Sequence, residues 1–91
     1  MALWDDSHWV DGYVARITNV FAGGNTAWID FGWESLTPHQ GSGHVGYRQL
    51  VSEQPNGVSD MLEVACLSMQ LNRTVMLRVT NDGRITAIQT V

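Results

Sequence analysis

An indole and a carboxylate stand two residues apart in Trp28-Ile29-Asp30, and His44 and Tyr47 follow within the next twenty positions. In an extended segment residues i and i+2 share a face, so Trp28 and Asp30 fall side by side. Such a pair suits a sugar or a base, because an aromatic face packs against C–H and cationic edges while a carboxylate accepts hydroxyl protons. An outward indole in a small oligomer is more often an anchor between subunits, or else plain surface. Trp28, Asp30, His44 and Tyr47 are therefore the candidate ligand-binding residues, with interface anchoring as the competing role for Trp28. Trp33 falls on the opposite face and reads as core. Trp4 and Trp9, flanked by Asp5, Asp6 and His8, read as clamps that hold the N-terminal arm on the domain or on a neighbour.

Other chemistry finds less support. Asp5-Asp6-x-His8 and His39-x4-His44 lack a secure third or fourth ligand, so no metal and no other cofactor is expected. Cys66 falls in the middle of a helical segment with no histidine close in sequence, which makes it an inert thiol. No Ser/His/Asp order stands out, and Gly41-Ser42-Gly43 is too short to cradle a phosphate. Asn72-Arg73-Thr74 matches a glycosylation triplet that arises readily by chance. The chain reads as a non-enzyme.

The totals narrow the setting. The sequence of 91 residues with a net charge of −4 makes a single domain, residues 1–91. A domain of this size buries only about 60% of the surface its unfolded chain exposes. Cys66 is the one cysteine, so no intrachain disulfide can reinforce it. Oligomerisation is the remaining route to stability. The acidic balance, the lack of lysine and the scattered arginines disfavour a nucleic-acid partner. No apolar run approaches the length of a membrane span. Met1 to Asp6 shows neither a basic leader nor an apolar stretch. Two locations stay open: a cytoplasmic protein, or a mature secreted chain whose leader is not part of this sequence.

The elements that would position these residues follow from periodicity. Residues 9–21 alternate as a first strand, with Tyr13, Ala15, Ile17 and Phe21 on one face and Arg16 and Thr18 on the other; Gly12 is a candidate bulge. Ala22-Gly23-Gly24-Asn25 makes a tight turn. Residues 27–34 form a second strand, with Ala27, Ile29, Phe31 and Trp33 inward. Residues 35–46 read as a loop, and a short third strand covers about 46–51. After Gln54-Pro55-Asn56-Gly57 a helix spans 58–71, capped by Ser59 or by Asp60 with Glu63. Residues 74–80 and 85–91 are two further strands around the Asn81-Asp82-Gly83 turn. Three strands, a helix and two strands give a mainly β fold with one helix: a five-stranded OB-type barrel, β-β-β-α-β-β, with an open α+β sheet as the competitor.

The helix carries the assembly argument. Ser59, Glu63, Cys66 and Gln70 fall in a narrow polar stripe, and Met61, Leu62, Val64, Ala65, Leu67, Met69 and Leu71 cover most of the rest. So much apolar circumference fits a helix buried within its own domain, and is better explained by two packing surfaces, the domain's own sheet and sister copies. Ser59, Met61, Leu62, Glu63, Cys66, Met69 and Gln70 are the expected interface and pore-lining set of a ring.

The stretch DMLEVACLSMQLNRTVMLRVTNDGRITAIQTV, residues 60–91, resembles the B subunits of bacterial AB-type toxins, the pentameric OB-fold group of the cholera-toxin and subtilase-cytotoxin kind. The resemblance is one of pattern and covers about a third of the chain. Leu62, Ala65 and Leu67 approximate the group's helix pattern, and the strand, polar turn and final Ile/Ala-rich strand follow in the same order. The resemblance implies a pentameric ring around a central pore, recognition of cell-surface carbohydrate and a catalytic A-type partner subunit. The chain departs from the group in having a single cysteine, and Thr80 and Asn81 stand where the cholera type has a glycan-contacting tryptophan. The expectation is a secreted, ring-forming carbohydrate-binding module. The alternative is an intracellular or phage-encoded oligomeric scaffold or regulator that holds a protein partner or a small nucleotide.

Overall fold

The computed structural model describes residues 13–36 and 41–91. Trp4, Asp5, Asp6, His8, Trp9 and His39, with the bulge expected at Gly12, lie outside the described residues. Five strands and one helix follow in order: β1 (Tyr13–Gly23), β2 (Thr26–Ser35), β3 (Ser42–Gln49), α1 (Gly57–Gln70), β4 (Thr74–Val79) and β5 (Ile85–Thr90). The fold is mainly β, with its helix between β3 and β4 as the sequence pattern predicts.

The strands form one antiparallel sheet in the order β3-β2-β1-β4-β5. The sheet curls until its margins touch at a single parallel bridge, Leu50 to Ile85, where the Val51 amide donates to the Ile85 carbonyl at 2.9 Å. One bridge falls short of the ladder a closed barrel would have. Ile17, Ala27, Ile29, Phe31, Leu50, Val75, Leu77, Val79 and Ile85 point into the curl and are almost wholly buried. The β-branched and aromatic members of this set suit a pleated, packed surface.

The alternation of β1 breaks where the register shifts between Ile17 and Asn19. Thr18 is the surplus residue of a β-bulge, and a surplus residue inverts the facing of everything after it. Val20 therefore packs against the core and Phe21 turns outward, 56% exposed. The inward placement expected for Phe21 is corrected accordingly. Trp33 lies half-buried against the core, edge-on to Tyr13 with ring centroids 5.4 Å apart.

The third strand starts earlier than expected, so residues 42–46 belong to the sheet and not to a loop. Its own register shift leaves Val45 as the surplus residue, and Gly46 beside it has a φ of 98°, which side-chain-bearing residues rarely adopt. This bulge disguises the period-2 pattern of Ser42–Gln49.

Helix α1 packs across β1 and β5 through Met61, Ala65 and Ser68, with Leu62 and Met69 partly buried beside them. It starts one residue earlier than predicted, with Asn56 at the N-cap and no side-chain cap, so Asp60 sits in the first turn and closes no capping box. Its C-terminus ends as a Schellman motif. Asn72 takes a φ of 52°, its amide donates to the Met69 carbonyl at 3.1 Å, and the Arg73 amide donates to the Ser68 carbonyl at 2.9 Å. The helix is less enclosed than its composition suggests: Ser59, Asp60, Glu63, Leu67, Gln70 and Leu71 are exposed.

Candidate binding face

The outer side of β1, β2 and β3 presents one row of residues per cross-strand pair. Phe21 stands opposite Trp28, Asp30 lies between Asn19 and Tyr47, and Gly32 lies between Arg16 and His44. Trp28, Asp30, His44 and Tyr47 thus share one face, as their spacing suggested for the first two. Phe21 joins them because of the Thr18 bulge, a participant that simple alternation hides.

Phe21, Trp28 and Tyr47 line an open cleft of 350 Å³. Trp28 is half-buried and forms its floor, while Phe21 and Tyr47, about half exposed, form its walls. Large rigid rings of this kind supply contact area at little cost in conformational freedom.

Next along β2 comes Asp30, whose side chain is only 14% exposed. His44 Nε2 approaches its Oδ1 at 3.3 Å, an ion-pair distance for a protonated imidazole. The approach lacks hydrogen-bond geometry, and Oδ1 is shut off from solvent with no hydrogen-bond partner among the described residues. An acceptor left in this condition costs free energy that a suitable donor would recover.

Beyond His44 the surface dips again. Arg16, Thr18, Gly32, Trp33, Glu34 and Ser42 border a second depression of 280 Å³, with Gly43 and His44 on the same side. Gly32 forms its floor because a Cβ there would lie 2.6 Å from the Gly43 carbonyl oxygen. Arg16 forms its far wall. Its Nε donates to Glu34 Oε2 at 2.6 Å, and its Nη1 donates to the Asn72 carbonyl at 3.1 Å and to Asn72 Oδ1 at 2.8 Å. The hydrogen bond to Glu34 raises the Arg16 pKa above its already high ordinary value, so the guanidinium is always charged. Arg16 thereby fastens the end of α1 to the edge of this face.

Comparison with protein-family models, with curated proteins and with solved structures finds no match for this chain.

A larger cleft of 480 Å³ lies elsewhere, lined by Val51, Ser52, Glu53, Thr80, Arg84 and Thr86. It is a weaker candidate. Among the described residues it has no aromatic wall, and the cation that lines it is committed, Arg84 Nε donating to Asp82 Oδ2 at 2.9 Å. Asp82 also accepts from the Thr80 hydroxyl, and that bond, followed by Arg84, holds its carboxyl below the usual carboxylate range.

The expected interface set divides in two. Met61 is buried in the domain's own core, and Leu62 and Met69 pack against that core. Ser59, Glu63 and Gln70 are exposed, with Cys66 half-buried on the same stripe. Leu67 and Leu71, one turn apart and each more than half exposed, are the apolar residues the helix leaves to solvent. Among the described residues no three His, Cys, Asp or Glu gather into a group that could hold a metal. No described helix is long and apolar enough to cross a membrane.

Proposed function

We propose that this chain is a non-catalytic binding module of OB-barrel type that takes carbohydrate on the outer face of β1, β2 and β3. The observation that carries the reading is the Phe21–Trp28–Tyr47 cleft next to Asp30, the cross-strand neighbour of Tyr47, whose Oδ1 has His44 Nε2 at 3.3 Å but accepts no hydrogen bond among the described residues. A pyranose presents apolar C–H faces and a girdle of hydroxyls. Trp28 meets the former, and Asp30, with His44 at its shoulder, meets the latter.

Assembly into a ring, pentameric in the resemblance, is part of the same proposal. Leu67 and Leu71 would be covered by a second copy, and the polar stripe of Ser59, Glu63, Cys66 and Gln70 would face the ring centre. Shallow open sites bind weakly one at a time, and several on one rigid body raise avidity with no added contact. A catalytic partner subunit and a secreted location belong with this reading.

The test is a glycan array probed with the intact protein and with Trp28→Ala. Retention of defined glycans by the wild type, lost in a variant with unchanged far-UV circular dichroism, supports the assignment. An array without hits for the wild type removes it.

A further inference from the structure

We propose that the ligand is an oligosaccharide laid along β2, occupying two subsites joined at Asp30 and His44, and not a single sugar. This rests on the carbohydrate reading above and specifies its ligand. The aromatic cleft and the Gly32-floored depression both open on the outer face, at positions 28 and 32–34 of one strand. At a rise of about 3.3 Å per residue the six steps from Trp28 to Glu34 span roughly 20 Å. That length exceeds one sugar ring.

The two ends differ in chemistry. Phe21, Trp28 and Tyr47 offer ring faces, which suit an internal or terminal sugar stacked flat. The second depression offers Thr18, Ser42 and His44 with the bonded Arg16–Glu34 pair. These groups suit a sugar held by its hydroxyls. Between them His44 borders the second depression while reaching toward Asp30, and Asp30 is directly paired with Tyr47 of the first. Asp30 thus lies at the junction, where a hydroxyl near a glycosidic link would reach its buried Oδ1 by taking the place of His44 Nε2, 3.3 Å away.

The experiment is an array of matched mono-, di-, tri- and tetrasaccharides that share one terminal sugar, probed with the intact protein and with Ser42→Trp. Ser42 is exposed on the sheet margin and borders only the second depression. The trisaccharide should bind about tenfold or more tighter than the monosaccharide, the gain that 1.4 kcal/mol of added contact gives. Ser42→Trp should abolish that gain. Should the indole weaken the margin strand, Ser42→Arg fills the same space. Equal affinity for monosaccharide and trisaccharide overturns the groove while sparing the carbohydrate reading. A length gain that survives both substitutions overturns the placement of the second subsite. Absence of binding at every length removes both proposals together.

Discussion

Phe21 and Phe31 sit on different sides of one bulge, and truncating each in turn measures what that bulge does. Phe31 is wholly buried at the centre of β2, paired with Ile17. A buried phenylalanine removes about 150–250 Å² from water, worth roughly 4–6 kcal/mol at 25 cal/mol per Å². Alanine keeps part of that burial while the cavity left behind adds to the loss, so Phe31→Ala should cost about 3–5 kcal/mol. A chain of this length has a total stability of about 5–14 kcal/mol, so the loss is a large share of the whole. With a urea slope of about 1.5 kcal/mol per M, the midpoint should fall by about 2–3 M. Phe21→Ala removes only a cross-strand contact with Trp28 and should cost about 1 kcal/mol or less, while weakening any ligand held in the cleft. Urea melts followed by far-UV circular dichroism give both numbers. Equal costs for the two substitutions, or a cost below about 1 kcal/mol for Phe31→Ala with an unchanged slope, would refute the assignment of faces.

Three further outcomes are expected. Asn72 holds a left-handed backbone, so Asn72→Val should cost at least about 1–2 kcal/mol, whereas Asn72→Gly should recover most of that in the same thermal melt despite losing the side-chain bond to Arg16. The Asp82 carboxyl is held low by Thr80 and then by Arg84; its contribution is present above the ordinary carboxylate range and is lost as pH falls through the lowered value. The gap in melting temperature between wild type and Asp82→Asn should accordingly shrink as pH drops below about 4. Leu67→Glu with Leu71→Glu should reduce the particle mass seen by light scattering to that of one chain without changing the fold, and an unchanged mass would sink assembly through this part of α1.

Much of the fold was legible because its elements obey simple periods. Ala27, Ile29, Phe31 and Trp33 alternate with Trp28, Asp30, Gly32 and Glu34, and β2 forms as that pattern requires. The helix, the Asn72 stop and the Asn81–Gly83 turn were equally plain, since each rests on local chemistry. What escaped depends on long-range pairing. The register shift at Thr18 is set by how β1 meets β2, and no residue type announces it, so simple alternation puts Phe21 on the wrong side. Residues 42–46 looked like a loop because glycines and a bulge interrupt their alternation. For the candidate site, Trp28 beside Asp30 was readable from the spacing of two residues. The meeting of His44 with Asp30, and of Tyr47 with Phe21, required the sheet. Of the apolar sweep of α1, Met61, Leu62 and Met69 are spent on their own domain, a division that only the packed fold displays.

Each hairpin-like pairing carries one residue too many: Thr18 where β1 meets β2, Val45 where β2 meets β3, Thr86 where β4 meets β5. Such extra residues coil a sheet more tightly than pleating alone. Removing Thr18 would leave Ile17 with Phe31 and Asn19 with Asp30, so every partnership would survive while the bend relaxed. Shape in this protein is thus adjustable by single-residue deletions that leave the pairing scheme intact, and the first seam to part on straightening would be the one joining Leu50 to Ile85.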